Sequence, residues 1–259
     1  MITKPEESTA SMRLPPPPNG TASRPPRAVR AVVRIRDGIR YVFGARLPIR
    51  ITDLDYDQYW RARGMHGVVD RFPIIAAHLR PGESLLDIGC GEGAGLDYLQ
   101  RSAKVVGRGL DISPVAIEMA RARGLDVEVA DITASDFRIS GGYDTVLISE
   151  VLEHLAEPER VVRLVSTTVR KRLILTFPSI GYLPHRIRLL FGRFPVQWGW
   201  HPGEHLRFWT LSDYGWWLDQ LGYEIEAVQA SNGVRGLARW WPALFGNQIV
   251  VVAKPRRQV

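Results

Sequence analysis

One cysteine, Cys90, in a chain of 259 residues leaves no partner for an internal disulfide, which fits a reducing compartment. No uninterrupted apolar run reaches the roughly 18 residues a spanning helix needs, so none is expected. The opening stretch, Met1 to Ala10, carries Lys4, Glu6 and Glu7 and no apolar centre, unlike a secretory signal. These absences predict a cytoplasmic protein. Excess charge is also missing from most of the chain. The formal net charge is +7, and residues 1–50 hold all of it, with ten basic side chains against Glu6, Glu7 and Asp37. Beyond residue 50 acids and bases balance, which argues against nucleic acid as a partner of that part.

The N-terminal composition is biased. Residues 1–27 are rich in Pro, Ser and Thr, with Pro15 to Pro18 in a row, and are expected to form a disordered arm. Across residues 28–50, Val29, Val32, Val33, Ile39, Val42 and Phe43 recur at helical spacing with arginines between them. Such a basic amphipathic segment reads as a peripheral contact with the inner membrane surface, or as a helix that buries its stripe at home.

Residues 51–259 read as one domain of alternating elements. Apolar runs at 84–88, 105–110, 127–130, 145–149 and 172–177 predict strands, with helices at 93–102, 114–123 and 157–168 between them. Ser113-Pro114 supplies an N-cap and a first-turn proline. Helices at 56–63 and 72–79 precede the first strand. This rhythm predicts an α/β, Rossmann-like, doubly wound and mostly parallel sheet, with ligands at the carboxyl ends of the strands. The rhythm breaks over about residues 178–210, too long for an ordinary connection, and that stretch is expected to be a cap. A helix at 211–221 and strands at 223–230 and 248–253 follow. Seven of the eight tryptophans lie between Trp198 and Trp241.

The chemistry centres on Leu85-Leu86-Asp87-Ile88-Gly89-Cys90-Gly91-Glu92-Gly93. A buried strand there runs into a glycine turn that opens a helix, and the missing side chains let a ligand approach the backbone. Gly89, Gly91 and Ala94 fit the dinucleotide pattern, so an NAD-dependent oxidoreductase is one reading of the loop. Asp111, at the end of the second strand, suits a ribose in either class of site. Three further features favour S-adenosylmethionine (SAM): Asp87 two residues before the first glycine, Asp131 after the third strand, and the block Glu150-Val151-Leu152-Glu153-His154-Leu155 after the fourth.

With four blocks in this order, the chain from about Asp55 onward resembles class I SAM-dependent methyltransferases. The block at residues 150–154 is similar to ubiquinone-biosynthesis O-methyltransferases. Thr176-Phe177-Pro178-Ser179-Ile180-Gly181, His185-Arg186 and Gly192-Arg193-Phe194-Pro195-Val196 resemble MetW proteins, from whose usual pattern residues 150–154 depart. The resemblance implies a seven-stranded sheet with an antiparallel last strand. It implies a cofactor site in which Gly89, Cys90, Gly91 and Gly93 form the loop, Asp87 meets the methionine ammonium, Asp111 and Ile112 the ribose, Asp131 and Ile132 the adenine, with Ser149 at the end of the fourth strand. It also implies that the leading helices cover the pocket.

His154 is the candidate base, because an imidazole can take a hydroxyl proton near neutral pH. Glu150 and Glu153 stand with it as catalytic candidates, and the ubiquinone-type likeness allows a divalent metal on the three. On one helix, residues 150 and 154 would share a face. Tyr59, Arg63, His201 and His205 are candidates for substrate contact. The expected reaction is O-methylation of a small-molecule or lipid- or glycan-linked acceptor. The MetW likeness carries an alternative, a SAM-binding partner of an acyltransferase that methylates nothing. No Asn-Pro-Pro-Tyr-like block follows the fourth strand, which lowers N-methylation of bases.

Overall fold

The structure is a computed structural model that describes residues 55–65, 67–195, 204–234 and 236–256. The expected arm at 1–27, the basic segment at 28–50 and His201 lie outside these residues.

Helix α1 (Tyr56–Arg63) starts at Asp55, whose carboxylate caps the Asp57 and Gln58 amides. Helix α2 (Arg71–Ala76) leads to strand β1 (Ser84–Ile88). Then come α3 (Ala94–Ala103), β2 (Val106–Asp111), α4 (Pro114–Ala122), β3 (Asp126–Val129) and β4 (Tyr143–Ser149). A 3₁₀ turn (Leu152–His154), α5 (Pro158–Ser166), β5 (Val169–Pro178) and α6 (Leu183–Leu190) follow. The last elements are α7 (Leu211–Gln220), β6 (Tyr223–Gly233), the short helices α8 (Leu237–Trp240) and α9 (Pro242–Phe245), and β7 (Gly246–Pro255). Ser113 caps α4 through the Ala116 amide at 3.2 Å with Pro114 in its first turn, as read from the sequence.

The seven strands form one sheet in the order β3-β2-β1-β4-β5-β7-β6. All pairs from β3 to β5 are parallel, whereas β7 runs antiparallel to both β5 and β6. This is the doubly wound, mostly parallel sheet expected, with one antiparallel strand.

Alternation along the strands builds a core on each face. Leu86, Ile88, Val146, Ile148, Leu173 and Leu175 point to one side, against Val161, Val162 and Val165 of α5 and Tyr214, Trp217 and Leu218 of α7. Leu85, Leu147, Ile174 and Val250 point to the other, against Phe72 and Ile75 of α2, Leu96 and Leu99 of α3 and Ile117 of α4. Of the aromatic residues in α7, Trp217 is buried and donates its indole N–H to Glu159 at 2.8 Å, while Trp216 is exposed. At the start of the expected cap, a bridge between Ser179 and Trp209 ties both ends of the interruption to the sheet margin. His185 of α6 is fully buried there and hydrogen-bonded to Asn247 at 3.0 Å.

Candidate active site

The turn after β1 sits over the end of β2. Both the Gly89 and Cys90 amides donate to the Leu110 carbonyl, at 2.7 and 3.0 Å. Gly89, Gly91 and Gly93 all have positive φ, which glycine adopts without a side-chain clash. Space is restricted as well: a Cβ on Gly89 would lie 2.2 Å from a Val151 methyl, and one on Gly91 2.6 Å from the Trp60 ring. Trp60 therefore lies directly over the loop. It belongs to α1, which has no buried residue of its own. A polar latch holds that helix, in which Asp57 accepts from the Ser113 hydroxyl and the Val115 amide.

Two adjoining cavities of about 320 Å³ each flank this turn. Tyr59, Trp60, Gly89, Glu150, His154 and Glu204 line both. The first contains Asp111, Ile112, Asp131, Ile132, Thr133, Val151 and Leu155. Asp111 braces the loop, accepting from the Gly91 amide at 2.8 Å and the Ser113 amide at 2.9 Å. Burial raises its pKa, and those backbone donors oppose the rise. Asp131 is exposed and accepts from the Thr133 hydroxyl and amide, which hold its carboxyl below the usual range.

The second cavity contains Asp87, Cys90, Gly91, Arg63, Arg71, Ser149, Glu153, His205 and Gln248. Asp87 is 4% exposed. Burial first, then the charge of Asp111, pushes its pKa up to about 7, with Arg71 acting the other way. Cys90 is buried and its thiol is pushed up by burial, which makes it an inert wall and not a nucleophile. Ser149 accepts from Arg71 at 3.0 Å and shares a 2.9 Å hydrogen bond with Thr176. Arg63 donates to the Tyr59 hydroxyl at the cavity rim.

The block after β4 departs from the helical expectation. Glu150 has φ +57, a left-handed conformation uncommon without glycine, and only Leu152–His154 form a 3₁₀ turn. Glu150 and His154 thus share no helix face. The Glu150 carboxylate accepts instead from Thr176 and Gln248, each at 3.0 Å. Glu153 is 1% exposed, burial raises its pKa well above the usual range, and neither carboxylate oxygen has a hydrogen-bond partner. Its backbone carbonyl accepts the Leu206 and Arg207 amides, at 2.8 and 3.0 Å, so the returning end of the cap is seated on this loop. His154 Nδ1 lies 2.6 Å from the Glu204 carbonyl. Because a carbonyl only accepts, Nδ1 carries the proton and Nε2 is left as the basic atom. The ring of His205 meets that of His154 edge-on at 4.7 Å.

Most sequence candidates are therefore brought to one wall. The exceptions are His201, outside the described residues, and Gly93, which lines neither cavity and faces Leu125 and Ala120; Glu150 lines both, with its carboxylate already engaged. Arg71 and Gln248 were not foreseen. Gln248, the second of two adjacent amides at the head of the apolar run 249–253, is the legible signal, whereas Arg71 has none beyond its place at the start of a helix.

The family model for methionine biosynthesis protein MetW matches residues 70–253. The chain belongs to the MetW family. Among curated relatives, this MetW-family chain is 28% identical over 145 residues to a ubiquinone biosynthesis O-methyltransferase of Neisseria meningitidis serogroup C, covering 52% of the chain and 60% of the relative. The same kind of enzyme from Chromobacterium violaceum is 33% identical over 112 residues, covering 39% and 44%. The chain spans at most 60% of the length of the first of these relatives. Magnesium protoporphyrin IX methyltransferase from Synechocystis, solved with S-adenosylhomocysteine (SAH) bound, superposes with a TM-score of 0.56 at 19% identity, over 87% of this chain and all of that one. An S-adenosylmethionine-dependent methyltransferase from Mesorhizobium loti gives 0.55 at 19%, over 71% and 97%. The MetW-family chain thus has the fold of class I SAM-dependent methyltransferases.

Proposed function

We propose that the chain is a SAM-dependent methyltransferase whose cofactor spans the two cavities and whose acceptor is an oxygen nucleophile beside His154. The observation that carries the reading is the junction of the cavities. Asp131 and Asp111 line one cavity and Asp87 the other, and the His154 imidazole, with Nδ1 turned to the Glu204 carbonyl, lines both.

The residues fit the cofactor. The buried Asp87 carboxylate lacks a strong counter-charge and suits the methionine ammonium. Asp111, already fixed by two amides, suits the ribose hydroxyls. Ile112, Ile132 and Leu155 offer apolar walls to the adenine beside Asp131. SAM supplies an electrophilic methyl on a sulfonium, and its transfer is an in-line displacement that depends chiefly on positioning. The chain's residues would orient the acceptor, exclude water under Trp60, and accept the acceptor's proton at His154 Nε2. A small-molecule or lipid- or glycan-linked alcohol or phenol is the acceptor class proposed.

The family match supports a second reading, in which the chain binds SAM for a partner enzyme and methylates nothing. Calorimetric titration with SAM, SAH and NAD tests the first claim; binding of both adenosyl ligands and none of NAD is expected. NAD binding alone would overturn it. Adenosyl binding without methyl transfer to any alcohol or phenol in an acceptor screen would favour the second reading.

A further inference from the structure

The second cavity holds polar atoms that the methyl-transfer reading leaves idle. Among the described residues, both carboxylate oxygens of Glu153 and Nδ1 of His205 are buried without a hydrogen-bond partner. Both side chains belong to residues that line the cavity. Buried polar groups are ordinarily paired, and a buried carboxylate most of all, so an orphaned set points to something that completes it. All three atoms can accept. The Glu153 oxygens do so when ionised. Burial, then the charge of His154, lowers the His205 pKa to about 4, so its ring is neutral at pH 7 and offers one lone pair, on Nδ1 when Nε2 carries the proton. Such a set calls for a ligand group with several donors.

Resting on the methyltransferase reading of this site, we propose that Glu153 and His205 bind a protonated amine on the methyl acceptor, which is an amino alcohol and not a plain alcohol or phenol. An ammonium carries donors in tetrahedral directions and no acceptor. Acceptors about 2.9 Å from its nitrogen stand roughly 4.7 Å apart. A carboxylate oxygen of Glu153 and a ring nitrogen of His205 lie within 4.8 Å of each other, a gap that one ammonium spans. A cation there would also hold ionised the Glu153 carboxyl, which burial otherwise keeps protonated. A neutral hydroxyl would not.

The surroundings agree. Asp87, Glu92, Glu150 and Glu204 line the cavity with Glu153, against Arg63 and Arg71, and Arg71 is turned to Ser149. A wall with that balance attracts a cation. Glu150 does not join the amine site, because Thr176 and Gln248 hold its carboxylate. His154 keeps its part as the base. Its ring meets that of His205 edge-on at 4.7 Å, which suits an amine and a hydroxyl on neighbouring carbons. The anchored nitrogen would fix the acceptor oxygen relative to the methyl group, the positioning on which the displacement depends.

The test uses the full chain in buffer with a chelator, saturated with SAH so that the Asp87 side is filled, and is repeated without SAH. 2-Aminoethanol and ethylene glycol, which differ by an ammonium in place of a hydroxyl, are titrated by ligand-observed NMR. The amine should bind about tenfold or more tighter than the glycol. In Glu153→Gln the two affinities should come within about twofold of each other, because the amide is neutral and turns a donor toward the ammonium. In His205→Phe the preference should fall by about threefold or more. Should circular dichroism show Glu153→Gln unfolded, His205→Phe carries the test. No preference for the amine in the unmodified chain, or the full preference kept in either folded variant, would overturn the amine site and leave water as the partner of Glu153. Amine preference without SAM or SAH binding would sink the methyltransferase reading and spare the site; SAH binding without amine preference would do the opposite.

Discussion

Asp87 allows the cofactor assignment to be tested through protons. Its carboxyl is 4% exposed and its pKa stands at about 7, against 3.8 for an unperturbed aspartate. For an acid raised on folding, the native state holds a proton that the unfolded chain has lost. The cost begins above pH 3.8, grows until about pH 7 and then levels off, at about 4 kcal/mol for a shift of this size. Asp87→Asn should therefore stabilise the ligand-free protein at pH 8 by up to that amount, less what the new amide forfeits for want of partners. It should do little at pH 4.

If the SAM ammonium is the counter-charge, binding must expel the proton. Affinity in the unmodified protein should then be about 100-fold weaker at pH 5 than above pH 8, with close to one proton released per ligand at pH 6. Calorimetry in two buffers of different ionisation enthalpy counts that proton, and urea melts at the two pH values give the stability side. Asp87→Asn should bind weakly with a nearly flat pH profile over this range. Full affinity in Asp87→Asn, or no proton release at pH 6, would refute the assignment.

Asp111→Ala should weaken SAM binding by about tenfold or more, since it removes the ribose contact and frees the Gly91 and Ser113 amides; calorimetry reads this directly. Gly91→Ala forces a side chain at φ +55 and a Cβ 2.6 Å from Trp60, so cofactor affinity should fall, and adding Trp60→Ala should restore part of it. Fully buried His185 has its pKa lowered to about 4 by burial. Because only the unfolded chain takes up that proton, His185 costs stability as pH falls from 6.5 to 4, by about 3 kcal/mol in total. His185→Gln should remove most of that slope in urea melts at pH 7 and 4.5. Deleting residues 1–50, which carry the whole net charge, should abolish binding to anionic vesicles in a sedimentation assay and leave SAM affinity unchanged.

The parts legible in the sequence are those set by neighbours along the chain. Leu85, Leu86 and Ile88 are apolar because both faces of β1 are covered, with Asp87 the one acid among them, and Ser113-Pro114 announces α4 by cap chemistry. The glycine loop and Asp111 are one strand and one turn apart, so their meeting follows from parallel pairing alone. His205 meets His154 for a different reason. Leu206 and Arg207, in a stretch without period, donate two amides to Glu153, and nothing in local composition encodes that contact. Glu150 shows the other failure: a helical pattern was read into residues 150–154, but hydrogen bonds from β5 and β7 to Glu150 hold it in a left-handed turn. Gln248 reaches the site only because β7 runs antiparallel.

The placement of β7 also has a consequence for synthesis. It lies between β5 and β6, although both leave the ribosome before it. Until residues 246–255 emerge, β6 has no neighbour and the edge of β5 from Leu173 to Pro178 stays open. The nascent domain must therefore carry an uncovered apolar strand for the whole time its last elements are being translated. That interval, rather than the finished fold, is when the chain is most exposed to aggregation and most in need of a chaperone.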